Sequence, residues 1–129
     1  MSEVAALDTC VVRMVDPARV AEVRDRLLEV DEARGLAAIF RLLGDPTRTR
    51  ILFALAEAEE LCVCDLAAAV GTPETSVSQA LRLLRTAGVV RSRRDGRTVW
   101  YRLDDEHVLR LLELSLEHLR HGVSGGGGS

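Results

Sequence analysis

Apolar residues recur along this chain at helical spacing for most of its length, switch briefly to alternation, and then return to helical spacing. Asp16-Pro17 opens the first helical stretch, Asp offering a side-chain cap and Pro a first-turn residue with no N–H to satisfy, and the pattern carries to about Val30. A second stretch spans about 32–43 and stops near Gly44. Asp45-Pro46 repeats the same start for a third, with Ile51, Leu52 and Leu55 on one apolar face to about Ala58. A short apolar helix over about 62–69 is closed by Gly71, and Thr72-Pro73 caps a fifth over about 73–86 that ends at Gly88. The runs 89–94 and 97–103 are then β-prone and flank Asp95-Gly96, a strong short hairpin signal. Asp104 caps a last helix over about 105–121, with Val108, Leu111, Leu112, Leu114, Ser115 and Leu119 spread broadly around it. Helix, short turn, helix and hairpin in this order predict a mainly α fold with a small β-hairpin, a winged helix-turn-helix.

Three segments follow from the pattern: an N-terminal arm over 1–15 that carries Cys10, a folded domain over 16–121, and a flexible Gly/Ser tail over 122–129. A chain of 129 residues has room for one domain with a real core. No apolar run approaches the ~20 residues that span a bilayer, so no membrane partner is expected. Residues 1–15 lack the basic-then-apolar order of a signal peptide, which places the chain in the cytoplasm. Thiols in a reducing compartment read as ligands or reactive groups before they read as disulfides.

The net charge of −3 conceals a layout that suits nucleic acid. Arg82, Arg85, Arg91, Arg93, Arg94, Arg97 and Arg102 lie in a window where Asp95 is the only acid, while acids concentrate in 16–32, 57–65 and 104–117. A basic patch on an acidic body is an electrostatic footprint for phosphate, although a solvated charged face has the same composition. In the fifth helix Val77, Leu81 and Leu84 share an inward face. Thr75, Ser76, Ser78, Gln79 and Arg82 are left facing out, where hydroxyls, an amide and a guanidinium can bond to bases or phosphates of double-stranded DNA. Arg93, Arg94 and Arg97 flank the hairpin turn, where a wing meets the adjacent backbone.

The chemistry sits just upstream, in Glu60-Leu61-Cys62-Val63-Cys64-Asp65-Leu66. Two thiols one residue apart offer two soft ligands to one soft metal ion, and a helix start favours thiolate over thiol. On a regular helix positions 62 and 64 point nearly oppositely, so they share an ion only if the first turn is uncoiled. Two small buried hydrophobes would also read this way.

These features together resemble the ArsR/SmtB family of bacterial metal-sensing repressors. The resemblance covers roughly 16–121. It rests on Gly44-Asp45-Pro46-Thr47-Arg48-Thr49-Arg50-Ile51-Leu52, on the Cys-x-Cys phrase, on the run from Ser76 to Val90, and on the Arg-rich wing. It implies a homodimer that binds an inverted-repeat operator without metal and releases it when metal binds. The family often carries His at the positions of Gln79 and Ala80, so its base preference does not carry over.

Two metal sites are expected. His107 and His118 lie on one face of the last helix but roughly 16 Å apart at ~1.5 Å per residue, beyond the reach of one ion. Two antiparallel copies would bring Asp105 and His107 of one subunit to His118 and His121 of the other, a set that suits Zn(II) and resembles the family's final-helix zinc site. A surface helix with stray histidines is the plainer alternative. At the thiols, Cys10 on the arm is the third donor to Cys62 and Cys64, from the other subunit as in the cadmium/lead-sensing members that this region resembles. Those members carry a further arm cysteine where this chain has Met14. Three thiolates suit Pb(II), Bi(III) or As(III), and Cd(II) wants a fourth ligand, so Cd(II) or Pb(II) is the expected occupant. The arsenic-sensing members place a third cysteine where this chain has Ala67.

The reading is a metal-responsive repressor, not an enzyme, since no nucleophile–base pair can be argued. A thiol redox or As(III) sensor of the same fold and a metal-buffering protein without DNA binding are the alternatives.

Overall fold

The computed structural model describes residues 13–126. The chain divides into two units, one up to Ala37 and the other from Ala38 onward.

In the first unit α1 spans Pro17–Arg26, with the Asp16 carboxylate accepting from the Arg19 N–H at 3.1 Å. It stops short of the expected end near Val30, because Leu27 is already extended at φ −72° and ψ 150°. The cause lies in the next start: the Glu29 N–H donates to the Glu32 carboxylate at 3.2 Å, the backward half of a capping box, and α2 begins at Val30. It runs Val30–Leu43 and so passes into the second unit.

The second unit is built on α3, Pro46–Ala58. The Asp45 carboxylate accepts from the Arg48 N–H at 3.0 Å, and the Thr49 hydroxyl donates back to Leu43 and Asp45 carbonyls at 3.0 and 2.9 Å. Ile51, Leu52 and Leu55 are fully buried. Their helix packs on α4 (Val63–Val70), α5 (Glu74–Thr86), β3 (Thr98–Leu103) and α6 (Glu106–Gly126). A guanidinium N–H of Arg50 donates to the Val70 carbonyl at 2.7 Å, tying α3 to the end of α4. There Gly71 turns the chain at φ +67°, where any Cβ is strained.

Four details of this second unit also depart from the sequence reading. The sheet has three antiparallel strands in the order β1-β3-β2, because Leu61–Cys62 (β1) pairs with Tyr101 and Trp100. The hairpin turn lies one residue further on: Asp95 is still paired with Thr98 in the ladder of β2 (Val90–Asp95), and the two-residue loop is Gly96-Arg97, with Gly96 at φ +65°. Asp105, not Asp104, caps α6, while the Asp104 N–H bonds the Val89 carbonyl at 2.9 Å. And α6 continues to Gly126, into the expected tail. Among the described residues no helix is long and apolar enough to cross a membrane.

The core is Leu43, Ile51, Leu52, Leu55, Leu66, Val70, Val77, Leu81, Leu84, Val89, Val90 and Val108 with smaller alanines. Leu81 is fully buried while its neighbour Leu83 is 49% exposed. Leu81→Ala should therefore cost ~2–5 kcal/mol in denaturant unfolding, and Leu83→Ala no more than ~0.5 kcal/mol. Equal losses at the two positions would contradict the placement of α5.

Candidate functional site

The thiol pair stands where a strand becomes a helix. Cys62 ends β1 and serves as N-cap of α4 with extended backbone at φ −84° and ψ 169°, so its side chain leaves the chain before helical geometry sets in. Cys64 lies in the first turn, and the two Sγ atoms come to 3.5 Å. This is the uncoiled first turn that a shared ion requires. The Asp65 carboxylate is 3.9 Å from Cys64 Sγ, and one ligand atom from each of Cys62, Cys64 and Asp65 lies within 4.8 Å of the others. A tetrahedral ion with sulfur at ~2.3 Å holds two thiolates about 3.8 Å apart, within a few tenths of the spacing found. The donor set therefore fits a metal ion. Asp65 was not anticipated; its signal was a carboxylate next to the second thiol in the first turn.

The expected lowering of the thiol pKa by the helix start is not found. The Cys64 thiol is pushed up, first by its hydrogen bond with Cys62 and then by the charge Cys62 would carry, with lesser contributions from burial, Asp65 and Glu74. A negative charge on one sulfur opposes a second so close by, and a cation between them would relieve that opposition. Cys62 is buried, Cys64 and Asp65 exposed. Cys10 lies outside the described residues; Met14 is exposed.

The histidines behave differently. Asp105 Oδ1 accepts from the His107 N–H at 2.9 Å and the Val108 N–H at 3.4 Å, and lies 3.3 Å from His107 Nδ1. The start of α6 is thus held by Asp105, and the same carboxylate stands beside an imidazole that is 92% exposed. His118 and His121 are exposed further along the helix, His121 beside a groove of about 620 Å³ shared with Phe53, Glu57 and Glu117. The structure brings Asp105 to His107 but does not bring either to His118 or His121 within one chain. Among the described residues no three-donor cluster includes a histidine.

The residues expected to face DNA divide in two. On α5, Val77, Ala80, Leu81 and Leu84 are buried, and Thr75, Ser76, Ser78, Gln79 and Arg82 are exposed as expected. At the wing, Arg94 and Arg97 are exposed and form no ion pair with a described residue. Arg93 is not like them. Its Nε and one terminal nitrogen donate to the two Glu60 carboxylate oxygens at 2.7 and 2.8 Å, and its guanidinium carbon stands 5.8 Å from the centre of the Trp100 ring. That hydrogen bonding, with the charges of Arg93, Arg102 and Arg91, holds the Glu60 carboxyl below its ordinary range. Arg93, expected at the wing with Arg94 and Arg97, thus differs from them in having its fork paired with Glu60.

Comparison with known proteins bears on the whole arrangement. Residues 45–92 match the family described as bacterial regulatory protein, arsR family. The chain is 44% identical over 102 residues to the transcriptional repressor SmtB homolog of Synechocystis sp., covering 79% of this chain and 76% of that protein. It is 35% identical over 117 residues to a cadmium resistance transcriptional regulatory protein CadC homolog of Staphylococcus aureus, covering 91% and 96%. Its fold matches the crystal structure of the AntR antimony-specific transcriptional repressor with a TM-score of 0.71 at 37% identity, covering 88% of this chain and 99% of that one. These relatives are transcriptional regulators, not enzymes. The chain belongs to the ArsR/SmtB family of winged-helix transcriptional regulators.

Proposed function

We propose that this protein is a metal-responsive transcriptional repressor, a homodimer that holds double-stranded operator DNA and lets it go when metal binds. The observation that carries this reading is the convergence of Cys62, Cys64 and Asp65 on one point in the same small unit as the exposed polar face of α5. Thiolates with one carboxylate select a soft or borderline divalent ion, so Cd(II) or Pb(II) is the occupant proposed here, with Cys10 as a further donor. Zn(II) is assigned to Asp105, His107, His118 and His121 across two antiparallel α6 helices. Support for that pairing is the apolar surface α6 leaves uncovered, with Leu114 65% and Leu119 59% exposed. The similarity to a cadmium resistance transcriptional regulatory protein CadC homolog supports the soft-metal assignment.

The chain's own residues supply the DNA half. Thr75, Ser76, Ser78, Gln79 and Arg82 present donors and acceptors to a groove, and Arg94 and Arg97 present charge to backbone phosphates. Metal weakens operator binding if it binds the DNA-free arrangement better, and couplings of this kind are typically worth ~1–3 kcal/mol, about 5–150-fold. A second reading, thiol oxidation, is favoured by the 3.5 Å between the sulfurs; release by a mild oxidant without metal would select it.

Operator titrations with Cd(II), Pb(II) and Zn(II) in reducing buffer test the proposal. Soft metal should weaken wild-type binding, Cys64→Ser should remove that response, and Asp65→Asn should raise the Cd(II) concentration needed. His118→Ala should lose the Zn(II) response and keep the Cd(II) one. Metal-insensitive operator binding by the wild type would defeat the reading.

Arg94→Ala and Arg97→Ala should each weaken binding to every sequence and lower the salt slope by about 1, whereas Gln79→Ala should change sequence preference. An unchanged slope in both Arg variants would remove the wing from the interface.

The thiol pair also makes a pH prediction. Cys62 raises the Cys64 pKa, so Cys62→Ala should shift the pH profile of Cys64 alkylation, read residue by residue in a mass spectrometer, to lower pH. For the same reason metal affinity should rise with pH until the pair is deprotonated. A Cys64 profile indifferent to Cys62 would contradict this coupling between the two sulfurs.

A further inference from the structure

The register of the small sheet puts the thiol site and the wing in one line. Cys62 is the cross-strand partner of Trp100, and Trp100 is in turn the partner of Arg93. Directly opposed residues in antiparallel strands share a face, with Cβ atoms ~4.5–5.5 Å apart, so Cys62, Trp100 and Arg93 run side by side across β1, β3 and β2. Glu60, two residues before Cys62, reaches over the central strand to Arg93 with two hydrogen bonds of 2.7 and 2.8 Å, and Arg93 rests over the indole. The next residue, Arg94, is one of the exposed cations of the wing.

The segment that carries Cys62 is also poorly able to absorb a displacement. β1 has only two residues, held by two cross-strand pairs. Immediately before it Glu59 sits at φ +68° and ψ −49°, and the Glu60 N–H bonds the Ala58 carbonyl at 2.7 Å, a tight γ-turn that a side-chain-bearing residue rarely adopts. Its other end is the N-cap of α4. A change at Cys62 Sγ is therefore passed sideways along the row, not taken up within the strand.

We infer that the Glu60–Arg93 pair, braced on Trp100, is the link through which ligation of Cys62 repositions the wing, so that Glu60 and Arg93 are positioning residues for DNA release and not contacts to DNA or metal. The inference rests on the thiolate reading above. An ion pair that only steadies the fold would affect operator binding equally with and without metal. A link affects the ratio of the two.

The experiment measures operator affinity without and with saturating Cd(II) for the wild type, Glu60→Gln, Arg93→Gln and the double variant. The ultraviolet thiolate band confirms that each has bound metal, and emission of Trp100, the chain's only tryptophan, reports the row in metal-free protein. The wild-type ratio should be about 5–150. Each single variant should bring it to within about twofold of 1 with the thiolate band intact and metal-free Trp100 emission altered, and the double variant should be no worse than either single one, because all three remove one interaction. Arg94→Gln, as a control, should weaken operator binding and leave the ratio as it was. A wild-type ratio retained in Glu60→Gln and Arg93→Gln would overturn the link while leaving the thiolate sensor standing. A wild-type ratio of 1 with the band present would overturn the sensor and the link together.

Discussion

Val77, Leu81 and Leu84 of α5 have to be buried with Ile51, Leu52 and Leu55 of α3, and the outward polar face of α5 follows from that requirement. Full burial of an aliphatic side chain is worth ~1.5–3 kcal/mol, and all six are essentially inaccessible to solvent. Against that, an exposed ion pair contributes ~0–1 kcal/mol. The packing of α5 on α3 therefore decides how α5 is rotated, and the rotation leaves Thr75, Ser76, Ser78, Gln79 and Arg82 outward whatever the surface charges prefer. Polar groups on a rotationally fixed helix can be matched to a fixed partner, which a loop would do less well.

The same comparison of magnitudes explains why the Glu60–Arg93 pair is read as a positioning device. Arg93 is 53% exposed and Glu60 23%, too open for their attraction to hold the fold. What the pair does is set the distance between a thiol-bearing strand and a basic hairpin, across a central strand that belongs to both ladders. Cys62 is tied to the core through α4, whose Leu66, Ala67 and Val70 are buried, and to the wing through the sheet, so one residue lies at the junction of the proposed metal site and the proposed DNA-binding wing.

Most of the fold was legible in the sequence because it depends on signals within a few residues of each other. Asp16-Pro17 and Asp45-Pro46 start helices as read, Gly71 ends α4, and the buried stripe of α5 lies where its spacing put it. The misses have two causes, a partner that is distant or very short, and a choice between neighbouring local signals. β1 is too short to show a period and exists only because β3 offers it an edge. The end of α1 was set by a side chain at Glu32 bonding back to Glu29, and the hairpin loop moved by one residue because Asp95 stays in the ladder. At the site, the sharing of one point by Cys62 and Cys64 was legible as a condition on the helix start, whereas the pairing of Arg93 was not, because nothing in its own neighbourhood shows that Glu60, 33 residues earlier, bonds its fork. The histidines were legible as a row on one helix, and a row on one helix cannot close around an ion.

If metal and operator compete through two arrangements of one protein, each must weaken the other by the same factor. The most direct test measures Cd(II) affinity by calorimetry for free protein and for protein saturated with operator DNA, in reducing buffer at fixed salt and pH. The account predicts weaker Cd(II) binding in the complex, by the same factor by which Cd(II) weakens operator binding. Equal Cd(II) affinity with and without operator would contradict it.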